Sequence, residues 1–521
     1  PPGTVTISGT ASQGQVLTAS NTLADLDGIP SSGAGAITYQ WIADGTAISG
    51  ATASTYTLTQ AEVGKAIIVT AIYTDNGGYV HTIASSATAV VTALPAVTLV
   101  ASTPSDGNSA VSVAADITLV FSEAVQAGSG NITIKDSSGN VVRTIAVTDA
   151  TQVRFDGSKV IINPADDLAA LSNYSMQIAN GAITNLAGVA YAGISDTTSL
   201  NFTTGRILYA TTEKGDSSTL GSGTSASPYK SLGYASQVAQ AGDTIYLTAT
   251  NSSGNALSGT EAIPNSYTIR SNGTAASPIV IKPNPASSDR YIFSSAQGLI
   301  VNGSHTVIEG FEFYGRTDAV DYWSLVAKAW GFGGGIDDAI YPVGDIAINV
   351  TTGTSILIKG NYFHDLVKKA INIEGGRYVE VRNNIIENVG TTSLSGGHGI
   401  MRQQGSFSNF GTADQAGVYR WDITGNLIFN VEQRIYSWVP SKGYLNMTLD
   451  EGKPINIDET TDTQMRARIS DNIIGFANIA SIRLKPTANL EVSYNSIYSD
   501  GAHADGITDI NTLSEIGRAH V

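Results

Sequence analysis

The chain contains no cysteine, which excludes disulfide staples, thiolate metal sites and a cysteine nucleophile. Charged residues make up only 14% of its 521 positions, yet 42% are hydrophobic, too many for a disordered chain. Basic residues are the scarcer sign, 28 Lys and Arg against 44 Asp and Glu, and a net charge of −16 repels nucleic-acid phosphates. No apolar run reaches the roughly 18 residues that begin to suggest a membrane-spanning helix. Also missing are the GxSxG elbow, the phosphate-binding loop, the HExxH helix and a dinucleotide fingerprint on a βαβ unit. What is present is 55 glycines amid abundant Ser, Thr and Ala, a composition suited to short strands and tight turns. The acidity reads first as a solubilising surface; the alternative is calcium binding by surface carboxylates outside the cell.

One phrase recurs along the last third. Asn361 in GNYF, Asn384 in NNII, Asn426 in GNLI, Asn472 in DNII and Asn495 in YNSI stand 23, 42, 46 and 23 residues apart. The two long intervals read as doublets of the short one. A unit of this size cannot bury its own apolar face, whereas stacked units bury a continuous core. ILIKGNYF, VEVRNNII, WDITGNLI and LEVSYNSI share an apolar-x-apolar approach to the asparagine, so alternate residues point inward. An inward asparagine at a bend bonds the backbone of its own and neighbouring turns, which makes these five residues structural.

Three segments follow from the patterning. Residues 1–93 alternate apolar and polar residues between turn signals, with Trp41 placed to plug a small sandwich. TYQWIADGTAISGATASTYTL and VGKAIIVTAIYTD resemble the Ig-like repeats of large bacterial surface and secreted proteins. Asp25, Asp27 and Asp75 lie in turn sequences, as solvated turn residues or as calcium ligands. After the linker Ala93-Leu94-Pro95-Ala96, residues 97–205 are again all-β. ITLVFSEAV, INPADDL and the closing FTT resemble a bacterial Ig-like domain of surface-layer proteins, a resemblance that implies spacer or stalk modules. Residues 206–521 open with the strand ILYATTEKG and a short amphipathic helix from about Leu232 to Ala239. This entry and the asparagine turns resemble right-handed parallel β-helices of the pectate-lyase-like superfamily, where a helix caps the open end. The expected fold is therefore all-β, a parallel β-helix preceded by two Ig-like sandwiches.

A second set of strands carries the candidate chemistry. Ile371-Asn372-Ile373-Glu374 aligns with Ile455-Asn456-Ile457-Asp458 and with Ile482-Arg483-Leu484-Lys485. With Ile and Leu facing inward, the remaining positions stack on the outside, one rung about 4.8 Å from the next. The prediction is an outer patch of Asn372, Glu374, Asn456, Asp458, Arg483 and Lys485, joined by Arg402 and His398 from the intervening GHGIMR turn. The alternative is a salt-bridged solvent face. The mixture suits β-elimination of uronic-acid polysaccharides, in which a carboxylate is neutralised, a base takes the C5 proton and an acid assists the leaving oxygen. The patch resembles that of β-helix lyases of the chondroitinase B and alginate lyase type. The resemblance implies calcium held by Glu374, Asp458, Asn372 and Asn456, with Lys485 as base and Arg483 and Arg402 on the substrate carboxylate. Lys368 and Lys369 precede the Ile371 strand as other candidates for base or substrate contact, His398 suits proton transfer, and His364 reads as structural.

Two stretches break the rhythm. About 318–344 carries Tyr322, Trp323 and Trp330, and Gln433 to Lys453 carries Tyr436, Trp438, Lys442 and Tyr444. Insertions in solenoids project on the binding face, and such rings stack on sugars, although they also serve as local apolar plugs. The opening PPGTVTISG reads as the middle of a longer protein and the closing NTLSEIGRAHV as a truncated tail, so a monomer within a longer multidomain chain is expected. The expected function is a secreted or bacterial surface lyase acting on acidic polysaccharide, with no nucleic acid and no membrane span. The rivals are an adhesin or carbohydrate-binding solenoid, a uronate epimerase and a glycoside hydrolase using paired carboxylates.

Overall fold

A computed structural model describes residues 3–214, 220–251, 253–255, 266–287, 297–315, 317, 346–390, 397–402, 419–431, 438–439, 444–445, 452–457, 466–477, 481–484, 490–498 and 507–508. Three bodies of β-structure succeed one another, each around its own apolar core. In the first, the alternation of TYQWIA and IIVTAIYT yields strands Thr38–Ala43 and Ile67–Thr74, paired so that Trp41 lies opposite Val69. A three-stranded sheet of Val5–Ser8, Val16–Asn21 and Thr55–Thr57 supplies Val5, Leu17 and Ala19 to the same core. Trp41 is fully buried there, and its indole N–H donates to the Ala53 carbonyl at 2.9 Å. The second body packs a four-stranded and a five-stranded sheet, with Leu119, Ile132, Ile134 and Met176 wholly buried between them.

The third body is a parallel β-helix. Ser231 caps the helix Leu232–Val238 by accepting the Tyr234 N–H at 3.3 Å, and Leu232 and Ala235 enter the core at the solenoid's first strands. Among the described residues, the chain then visits three parallel sheets in rotation, of nine, eight and six strands. In one rung, Lys369–Ile373 belongs to the eight-stranded sheet, Arg377–Arg382 to the nine-stranded sheet and Ile385–Glu387 to the six-stranded sheet.

The five asparagines sit at the bend between the second and third of these strands, all at most 2% exposed. The residue before each has positive φ: Gly360, Asn383, Gly425, Asp471 and Tyr494. Gly, Asn and Asp tolerate that conformation, which explains why GN, NN and DN dipeptides mark the bend. From Asn426, both the backbone N–H and the side-chain amide donate to Asn472 Oδ1 at 2.9 Å, and the amide also reaches the Val381 carbonyl at 2.9 Å. The pattern repeats from Asn361 to Asn384, Asn384 to Asn426 and Asn472 to Asn495. Asn384 therefore contacts Asn426 directly, and Arg377–Arg382 pairs with Trp421–Thr424. The long intervals are single rungs rather than the doublets expected from their length. In sequence, their surplus falls between the strands of these three sheets, and its described part includes the antiparallel pair Trp438–Val439 and Tyr444–Leu445.

The second body does not hang free as a spacer. It lies along the outer side of the nine-stranded sheet, acidic groups against basic ones. Asp167 accepts from Lys282 at 2.8 Å, and Asp116 accepts from Lys359 at 2.5 Å and Arg382 at 2.7 Å. Further along, Asp156 lies 3.3 Å from Arg468. Ala114 packs with Val280 and Val307 between these pairs. Burial works against the charge on Lys359, but Glu309 and Asp116 outweigh it and hold its pKa above the ordinary lysine value.

Asn426→Ala removes the acceptor of two Asn384 groups and strands the Val381 carbonyl. It is expected to cost about 2–4 kcal/mol, read as a lower urea midpoint; an unmoved midpoint refutes the ladder's role. Asp116→Asn withdraws one partner from both Lys359 and Arg382. The expected loss is about 1–3 kcal/mol, nearly the same at low and high salt because the groups are shielded from solvent ions.

Candidate functional site

The eight-stranded sheet brings together most of the sequence-aligned residues that are described. Ile348, Ile371, Ile400, Ile455 and Ile482 form one fully buried column facing the core. The next position, on the opposite face, stacks Asn349, Asn372, Met401, Asn456 and Arg483. The expected alignment of Asn372, Asn456 and Arg483 thus holds, but the expected exposure does not. Asn349, Asn372 and Asn456 are each at most 2% exposed, while Arg483 and Glu374 are partly exposed.

A buried amide persists where it is paired. The Asn372 amide donates to Asn349 Oδ1 at 3.0 Å and to Glu374 Oε1 at 3.1 Å, and the Asn349 amide points at the same Glu374 oxygen at 3.4 Å. Lys369 Nζ donates to Asn372 Oδ1 at 3.4 Å. Across the next two rungs, the Asn456 amide lies 3.4 Å from His398 Nε2. Lys369, His398 and Lys453 stack at the entrance of successive strands, at most 9% exposed.

Arg402 departs from expectation. Its strand partners are Ile373 and Ile457, so it occupies the inward column, 1% exposed, and not the outer patch. The period of two decides this: with Ile400 inside, Met401 faces out and Arg402 faces in. Its guanidinium lies 4.9 Å from the Trp421 ring centroid and donates to main-chain carbonyls. Asp458, Lys485, Tyr322, Trp323 and Trp330 lie outside the described residues, as does the side chain of Trp438.

Sequence reasoning passed over Asn349 and Lys453. A signal for Asn349 existed: Ala347-Ile348-Asn349 copies Ala370-Ile371-Asn372 one rung earlier, hidden behind the 318–344 insertion. The turn aspartates Asp25 and Asp75 converge on His81, whose Nε2 lies 3.7 and 2.8 Å from them, and Tyr73 donates to Asp25 at 3.0 Å. Among the described residues this is the one His/carboxylate triad whose ligand atoms fall within 4.8 Å of one another. On the six-stranded sheet, His364 is stacked between Tyr314 and Tyr362, ring centroids 4.7 and 4.3 Å away. It bonds Asp365 at 2.9 Å and Glu312 at 3.0 Å.

Residues 94–204 match the bacterial Ig-like domain family. No curated protein matches the chain. Among solved structures, the chain is similar to an alginate lyase from Paenibacillus sp. str. FPU-7 at 14% identity, covering 57% of this chain and 99% of that one, with a TM-score of 0.30. It is similar to a rhamnogalacturonan lyase at 14% identity, covering 56% and 73%, with a TM-score of 0.29. A family 28 exopolygalacturonase from Yersinia enterocolitica aligns at 12% identity over 79% of this chain and 97% of that one, with a TM-score of 0.18.

Burial disfavours the charged imidazole of His364, but hydrogen bonds to Asp365 and Glu312 outweigh it, and the pKa is raised. A raised folded pKa makes its contribution complete below the unfolded value of about 6.5 and erases it as pH climbs through the folded value. The stability gap between wild type and His364→Gln, from urea titrations across pH, should therefore be widest in acid and close in mild alkali. A gap that widens with pH contradicts this.

Proposed function

We propose that the chain acts on uronate-containing polysaccharide outside the cell, and that it cleaves the polymer by β-elimination on the outer side of the eight-stranded sheet. The observation that carries this reading is the buried string Lys369, Asn372 and Asn349, joined to the partly exposed Glu374, with His398 and Asn456 on the next rungs. Among the described residues, Asn372 and Asn456 bond side chains alone. Polar groups out of water cost stability unless they satisfy the backbone or serve a site. In this reading the uronate carboxylate meets the positive charge of Lys369 and Arg483, and His398 accepts the C5 proton as the C4–O bond breaks and water protonates the leaving oxygen. Lys485, expected as the base, and Asp458 lie outside the described residues. Glu374, Asn349 and Asn372 offer oxygens of the type calcium takes, but Asn349 Oδ1 and Asn372 Oδ1 already accept from Asn372 and Lys369, so a bound ion would displace those hydrogen bonds. When bound, that ion would supply further positive charge for the substrate carboxylate. The bacterial Ig-like domain supports an extracellular setting.

The test is incubation with alginate, pectate and chondroitin sulfate, with and without calcium, following ultraviolet absorbance of the unsaturated product. His398→Ala and Lys369→Ala should each lower turnover by about 10²–10⁴-fold with unfolding midpoints little changed. Retention on a polymer column without product would replace the lyase by a carbohydrate-binding solenoid. Altered uronate composition without cleavage would replace it by an epimerase.

A further inference from the structure

We infer that Arg402, enclosed within the solenoid, is a positioning residue for Glu374 that acts through the main chain of the turn carrying that carboxylate. The inference rests on the proposed reading of this sheet as the working face. Arg402 fills a slot that its stacked neighbours fill with Ile373 and Ile457. The core would accept an aliphatic residue there, and a buried guanidinium carries a desolvation penalty that an aliphatic side chain avoids. Its Nη1 donates to the carbonyls of Ile373 at 3.2 Å and Glu374 at 2.5 Å. Its guanidinium also lies over Trp421, whose own Nε1–H reaches the Gly376 carbonyl at 3.4 Å. Two side chains thus hold the carbonyls of residues 373, 374 and 376 from the core side.

The turn needs such a hold. Glu374 is followed by Gly375 and Gly376, the most permissive pair the chain can offer. A Cβ on Gly376 would lie 2.4 Å from Val350 Cγ1, so a larger residue there would require Val350 to shift. On the other side of the same turn, Glu374 Oε1 receives the amides of Asn372 and Asn349. A small shift of the turn would misplace that carboxylate, and sub-ångström errors at a reacting centre are expensive in rate. Arginine suits the task because its planar fork bonds carbonyls while its face stacks on an indole. Lysine cannot do both.

The test uses the full chain with Arg402→Lys, Arg402→Met and Trp421→Phe. The Glu374 and Gly375 amides are protected by the Val350 carbonyl, at 2.8 and 3.3 Å, so hydrogen exchange reports the turn. Exchange across 371–378 should rise about tenfold or more in the Arg402 variants while strand Thr354–Lys359 stays protected. Unchanged exchange at the turn overturns the inference. Arg402→Lys keeps the charge and guards against a variant that fails to fold. In the functional arm it should lower kcat by about 10–100-fold with KM little changed, and add nothing to Glu374→Gln. Additive losses overturn the link to Glu374. If the wild type turns over no uronate polymer, the functional reading falls, and exchange alone decides whether Arg402 pins the turn.

Discussion

In-register stacking of successive rungs is the constraint on which the rest of the molecule depends. A rung buries nothing by itself, so each column must repeat a compatible side chain. The asparagine ladder enforces that registry at one corner. One Oδ1 takes both the backbone and the side-chain donor of the preceding rung's asparagine, so a slip of one residue would break two bonds per rung. The isoleucine column of the eight-stranded sheet supplies the apolar counterpart. With both fixed, the outer positions have no freedom to wander, and side chains far apart in the sequence meet on one face.

The same registry builds a platform on the nine-stranded sheet. Lys282, Lys359, Arg382 and Arg468 come from different rungs and face Asp167, Asp116 and Asp156 of the Ig-like body. In an acidic chain with few cations, setting four of them against one neighbouring domain fixes its orientation. Gly242 marks how closely the two bodies approach, since a Cβ there would fall 2.2 Å from the Ala110 carbonyl. The Ig-like body thereby covers one side of the solenoid, and the eight-stranded sheet is a separate face.

The elements legible in the sequence were those that repeat. The ladder, the capping helix, Trp41 and the alignment of Asn372, Asn456 and Arg483 all follow from period and dipeptide chemistry. Rung length was misread, because the interval between asparagines counts the connections as well as the strands. Arg402 was misplaced because an arginine at an inward position contradicts its composition; the alternation set by Ile400 points the right way, and only residue type argued against it. The burial of Asn372 and Asn456 was not legible at all, since alternation assigns a face and says nothing of what shields it.

Two kinds of buried asparagine now stand side by side, and their partners separate them. Asn361, Asn384, Asn426, Asn472 and Asn495 reach the carbonyls of Ile308, Ile358, Val381, Ile423 and Ile469, groups that would otherwise be stranded at the bend. The backbone needs them. Asn372 and Asn456 bond lysine, asparagine, glutamate and histidine side chains, so among the described residues no backbone group depends on either. A solenoid under selection for stability alone could fill those outward positions with apolar residues, as Met401 does in the same column. The energetic asymmetry therefore assigns the ladder to the fold and leaves the second set to be explained by what the sheet contacts.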